Sequence, residues 1–116
     1  KHNRRVEDGS LVLWRPGFTV WIIVWGNDKK EPIDKRLKWI IEESSPEAFE
    51  VTTAEKGAQK TYAYRLNEPE DGQITYSYNG YVLSDYGHTQ LSIYFDKEED
   101  FELAKSIVSS VEYVQP

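Results

Sequence analysis

His88 stands three residues after Asp85 in the stretch LSDYGHTQLSIYFD (83–96). An imidazole near a carboxylate is a pair that could move a proton or contribute to a metal site. The local composition argues for a plainer role. SDYGH has the residues of a turn, with Gly87 where a positive φ costs least, so His88 is expected to open the strand that follows. A ligand or proton-transfer role with Asp85 is the alternative.

Other chemistry finds little support. The chain has no cysteine, which removes disulfides, thiolate zinc sites and cysteine nucleophiles. His2, the other histidine, lies in a polar terminus, and no GxSxG elbow supplies a serine nucleophile. No GxGxxG or Walker pattern cradles a phosphate. DKEED (96–100) is acid-rich but lacks the alternating ligands and central glycine of a calcium loop. Asp85 and His88 are two ligands where zinc takes three or four from the protein. With 20 Asp and Glu, paired carboxylates suited to hydrolysis arise by chance and carry no specificity. The expectation is a non-enzyme with no cofactor and no metal.

The net charge of −6 disfavours nucleic acid, whose affinity comes from Lys and Arg, and would steer the chain toward a basic protein partner. The basic cluster KHNRR (1–5) reads as a solvated terminus. The longest apolar run, Phe18–Trp25, has eight residues. A membrane helix needs about 20, so membrane insertion is not expected. Without an initiator Met the chain reads as processed or trimmed. The cytoplasm is the expected compartment, and the periplasm if a signal peptide was removed.

The 116 residues suffice for one domain, expected over 10–116 behind a flexible N-terminal tail, 1–9. LVLW and FTVWIIVW, rich in β-branched and aromatic residues and separated by Pro16-Gly17, predict an antiparallel hairpin. In its second strand Val20, Ile22 and Val24 face one way and Trp21, Ile23 and Trp25 the other. Both sides are apolar, so both need cover.

Pro32 suits the first turn of a helix over 33–44, with Ile33, Leu37, Ile40 and Ile41 on its apolar stripe. Strands are expected at 48–55 and 60–66, joined by a turn, then across the polar NEPEDG from Gln73 onward, and finally in TQLSIYF (89–95). Asn79-Gly80 is either a hairpin turn or a bulge within one long strand from Gln73 to Ser84. A last helix over 97–110 is signed by Asp96 as N-cap with Glu99 three residues on, and carries Phe101, Leu103, Ala104, Ile107, Val108 and Val111. The fold class is α+β: a twisted antiparallel sheet of six or seven strands with two packed helices.

Eight Tyr, four Trp and four Phe are the compositional surplus. If 60–66 pairs with 73–78 so that Leu66 meets Ile74, then Tyr64 faces Tyr76 and Tyr62 faces Tyr78, a four-tyrosine ladder. Either a helix or loop covers that ladder, or it is a binding face. Trp39 lies about 145° from the centre of its helix's apolar stripe and is expected to be exposed among Lys35, Glu42 and Glu43, unless another segment covers it. Trp39, Tyr62, Tyr64, Tyr76 and Tyr78 are the candidate binding residues.

The stretch GYVLSDYGHTQLSIYFDKEEDFELAKSIVSSV (80–111) resembles the closing portion of small bacterial proteins with a PsbP-like α/β sandwich. The order strand, strand, helix, several antiparallel strands, helix is also similar. The resemblance implies adaptor, secretion-chaperone, immunity or photosystem-accessory roles rather than catalysis. The expected function is a non-enzymatic protein-binding module of the immunity or secretion-adaptor type. The alternative is a small-molecule or carbohydrate binder using the tyrosine face.

Overall fold

The computed structural model describes residues 3–7 and 10–112. They form β1 (Asn3–Glu7), β2 (Ser10–Arg15), β3 (Phe18–Gly26), α1 (Ile33–Glu43), β4 (Phe49–Lys56), β5 (Gln59–Glu70), β6 (Gln73–Ser84), β7 (Gly87–Phe95) and, after a 3₁₀ turn at Glu98–Asp100, α2 (Phe101–Ser109). All seven strands join one antiparallel sheet in the order β1-β2-β3-β7-β6-β5-β4. No helix among the described residues is long and apolar enough to cross a membrane.

Two-residue turns set the registers. Pro16-Gly17 closes the β2–β3 hairpin between Arg15 and Phe18, with Gly17 at φ 77° as a type II turn requires. Asp71 and Gly72 both take positive φ, 50° and 79°, the type I′ geometry that matches strand twist. That tight turn lets β5 and β6 run on to Glu70 and Gln73, where the sequence reading placed a longer polar connection over NEPEDG.

The register that follows corrects the tyrosine ladder. Tyr62 lies opposite Tyr81, Tyr64 opposite Asn79, Tyr78 opposite Arg65 and Tyr76 opposite Asn67. The shift from the expected pairing is odd, and because side chains alternate with period two, it sends Tyr62 and Tyr64 to one face and Tyr76 and Tyr78 to the other.

Asn79-Gly80 is neither a turn nor a bulge: β6 pairs without interruption on both sides. Gly80 instead admits α2, since a Cβ there would lie 2.8 Å from both methyls of Val108. The α2 side of the sheet is closed by a core that includes Phe18, Val20, Val82, Leu91, Ile93 and Phe95 beneath Ala104 and Val108. Arg65, buried on this side, forms a bidentate pair with Glu98 at 2.5 and 2.6 Å and lies 4.1 Å from the Phe101 ring centre.

On the opposite side α1 covers one corner, where Ile40 packs with Tyr62, Tyr64 and Leu83. Its buried stripe takes in Arg36 and Ile40, with Ile33 and Leu37 packed alongside, while Ile41 is 44% exposed rather than part of it. The Arg36 guanidinium donates to the carbonyls of Glu31, Ser84 and Gly87, which satisfies the charge it carries into the interior.

Other expectations shift at chain ends. Asn3–Glu7, read as part of the polar tail, pairs with β2 as an edge strand. His2, Asp8 and Gly9 lie outside the described residues. The last helix begins four residues later than Asp96 would place it. Asp100 holds its N-cap position without a side-chain cap bond, because Glu98–Asp100 is wound as a 3₁₀ turn.

Candidate binding face

Alternation along β3 sends Thr19, Trp21, Ile23 and Trp25 to the side that carries α1. The Pro16-Gly17 register places Trp14 opposite Thr19, hence on that same side. Trp39 stands on α1 itself, so all four tryptophans of the chain belong to one side of the sheet. α1 packs on the β5–β6 corner with its flank reaching over the ends of β3 and β7, so the rest of this side of β3 has no helix above it and the expected full cover is realised on the α2 side alone.

Two recesses on this side are walled by several aromatic residues, and a further cavity of about 540 Å³ beside α1 shares Trp39, Ile40 and His88 with the upper of the two. The lower is a cleft of about 850 Å³ lined by Trp14, Trp21 and Tyr94, with Arg5, Glu68 and Thr75 among its polar groups. Trp14 on β2 and Glu68 on β5 are separated in the sheet by three intervening strands. Their sharing one cleft follows from the twist of the sheet, which curls the β5–β6 hairpin toward the β1–β2 edge. Arg5 lies over Trp14 with its guanidinium 5.2 Å from the ring centre. Burial, aided by the charge of Glu68, raises the Tyr94 hydroxyl above its usual range and keeps it a neutral hydrogen-bonding group.

The upper recess, about 230 Å³, lies between the flank of α1 and the ends of β3 and β7. Trp25, Trp39, Tyr81 and His88 wall it, and Glu43 and Gln90 supply polar groups. Trp39 and Glu43 share this flank of α1 because they are four residues apart. Trp25 and His88 are cross-strand neighbours whose rings stack, 6.1 Å between centres and 20° between planes.

Their strands close tightly here: a Cβ on Gly87 would fall 2.0 Å from the Trp25 carbonyl oxygen, so no other residue fits. Burial, reinforced by the Arg36 charge, lowers the His88 pKa and keeps the imidazole neutral near pH 7. Its Nδ1 is buried with no hydrogen-bond partner among the described residues.

Asn27, just beyond the end of β3, ties together the segments that flank the recess. Its side chain accepts from the Glu31 N–H and donates to the Glu31 and Asp85 carbonyls, joining the β3–α1 loop to the β6–β7 turn.

Of the expected binding residues, Trp39 is 62% exposed and belongs to this face. Tyr62, Tyr64 and Tyr78 are buried. Tyr62 donates to the Ser44 hydroxyl at 3.1 Å under α1, and Tyr78 meets Phe101 edge-on at 5.3 Å. Tyr76, half-buried, stacks on Phe95. The ladder is therefore divided between two cores and offers no common surface. Trp14, Trp21 and Trp25 take its place, and the Pro-Gly turn with period-two alternation was the signal that could have grouped them.

His88 opens β7 as a strand residue, whereas Asp85 stands exposed in the preceding turn. Among the described residues no group of three or more His, Cys, Asp or Glu is placed to hold a metal ion. No protein-family model matches the chain, and no curated protein matches it.

Proposed function

We propose that the chain is a non-enzymatic protein-binding module of the immunity or secretion-adaptor type, and that it engages a basic partner through the tryptophan face with Trp39 and Trp25 as anchors. One observation carries this reading: Trp39, 62% exposed, and Trp25, 49% exposed, flank one recess beside the Glu43 carboxylate. Large exposed aromatics set among polar groups are the side chains that most often dominate interface energy. The net charge of −6 favours a partner of opposite sign.

The test is affinity capture from the native host with wild type and Trp39→Ala, followed by titration of the purified partner. Trp39→Ala is expected to weaken binding by about 2 kcal/mol or more, with weaker binding at higher salt. Its thermal stability should change little. An equal affinity for the variant, or a loss of roughly 3 kcal/mol of stability, overturns the role of Trp39 as an anchor.

A second reading draws on the lower cleft, where Trp14, Trp21 and Tyr94 with Arg5, Glu68 and Thr75 combine aromatic planes and hydrogen-bonding groups in a volume suited to a sugar or other small molecule. Trp21→Ala abolishing binding to a glycan, with the protein partner still bound, would favour it.

A further inference from the structure

We propose that the upper recess binds a trimethylammonium group, carried either by a free small molecule of the choline type or by a trimethylated lysine of a partner. The inference rests on Trp25 and Trp39 forming a binding face and names the chemical group that they take.

The walls supply the chemistry. Trp25, Trp39 and Tyr81 line a common space, with Trp25 held by its stack on His88 and Tyr81 by its stack on Tyr62. Ring faces carry the negative end of the aromatic quadrupole, and alkylated ammonium ions are the ligands for which such cages are suited. Trp39 makes no ring–ring contact among the described residues, so the space beside it is not filled by another aromatic.

Size limits the choice. About 230 Å³ lies below the ~300 Å³ at which drug-sized sites begin and suits a small head group.

Charge limits it further. Along α1, Lys35 pairs with Glu31 and Lys38 with Glu42, while Glu43 has no ion pair among the described residues. Its carboxylate is left to balance a cation in the recess. Lys29, Lys35 and Arg36 line a neighbouring cavity that shares Trp39, Ile40 and His88 with this recess, but none of the three lines the recess itself, Lys35 pairs with Glu31 and the Arg36 guanidinium is engaged by three carbonyl oxygens. His88, neutral, acts as a wall instead of a competing cation.

A primary ammonium would need three acceptors once stripped of water. The polar side chains here, Glu43 and Gln90 foremost, do not encircle it, whereas a trimethylated head needs none.

The test is calorimetric titration with choline, its uncharged isostere 3,3-dimethylbutan-1-ol, and N-acetyl-lysine amide with and without trimethylation. Choline and the trimethylated lysine should saturate one site, with the isostere and the unmethylated lysine at least about tenfold weaker. The tighter of the first two names the source. Glu43→Gln and Trp25→Leu should each weaken the tighter ligand about tenfold, with unfolding curves confirming that both variants fold.

No saturable binding up to the order of 10 mM, or an isostere that binds as well as choline, overturns the proposal. If wild type ignores trimethylammonium but Trp39→Ala still loses the protein partner, the cage fails and the protein-binding reading stands. If choline binds and the partner is indifferent to Trp39→Ala, the reverse holds.

Discussion

Gly80 of β6 and Val108 of α2 meet so closely that the strand backbone itself forms the seat of the helix: a Cβ on Gly80 would lie 2.8 Å from Cγ1 and Cγ2 of Val108. Both residues are buried, and the contact lies within the larger core. Interiors packed at this density resist added volume.

Gly80→Ala is therefore expected to destabilise the fold by about 1–3 kcal/mol through overpacking, even though alanine suits a strand no worse than glycine. In a Val108→Ala background the penalty should shrink, because the obstructing methyls are gone. Urea unfolding of the two single variants and the double variant gives the coupling. Strict additivity would show that the close approach is not what requires glycine.

Arg65 and Glu98 make acid sensitivity specific. The Arg65 hydrogen bonds hold the Glu98 pKa below its ordinary value of 4.5. A depressed carboxylate contributes stability above the unfolded pKa and loses it as pH falls through the folded one. The stability difference between wild type and Glu98→Gln should be constant above about pH 4.5 and shrink on further acidification. A pH-independent difference measured by denaturant titration would contradict the pairing.

His88 acts in a higher window. Its ordinary value of 6.5 is lowered first by burial and then by Arg36. Between the lowered and the ordinary value the unfolded chain binds more protons than the folded one. Stability should therefore be fully present above about pH 6.5 and decline as pH falls below it, a slope that His88→Phe should lack. Trp25 fluorescence, read across the same range, should follow protonation of its stacked neighbour.

Arg36 fixes α1 over the β6–β7 turn through three carbonyl acceptors. Arg36→Leu, which leaves those carbonyls without their donor, is expected to cost about 3 kcal/mol or more. Arg36→Lys should recover part, since an ammonium cannot reproduce the planar fork. Because Trp39 and Glu43 ride on the same helix, the folded Arg36→Lys protein should also bind more weakly at the upper recess. Thermal unfolding and titration of that variant check both effects.

Much of the architecture was written in local pattern. Alternation marked the strands after Ser10, Pro16-Gly17 marked the first hairpin, and the sorting of Trp21 and Trp25 away from Val20 and Val24 was correct because strand geometry alone decides it. The spacing of Ile33, Leu37 and Ile40 likewise placed a helix on the sheet, and Trp39 on its outer flank.

Other features were decided only by the folded chain. Asp71-Gly72 selects the turn, and with it the odd register that separates the tyrosines, but composition could not tell a two-residue turn from a six-residue connection. Arg36 lies buried because distant carbonyls at Ser84 and Gly87 receive it, and it is Arg36 with Ile40, not Ile41, that forms the buried stripe of α1. The recess itself exists only where α1 overhangs β3 and β7. Period and propensity act over a few residues, whereas the apposition of Trp39 with Trp25 depends on contacts between segments far apart in sequence, whose geometry is set by the twist of the sheet and the packing of the helix upon it.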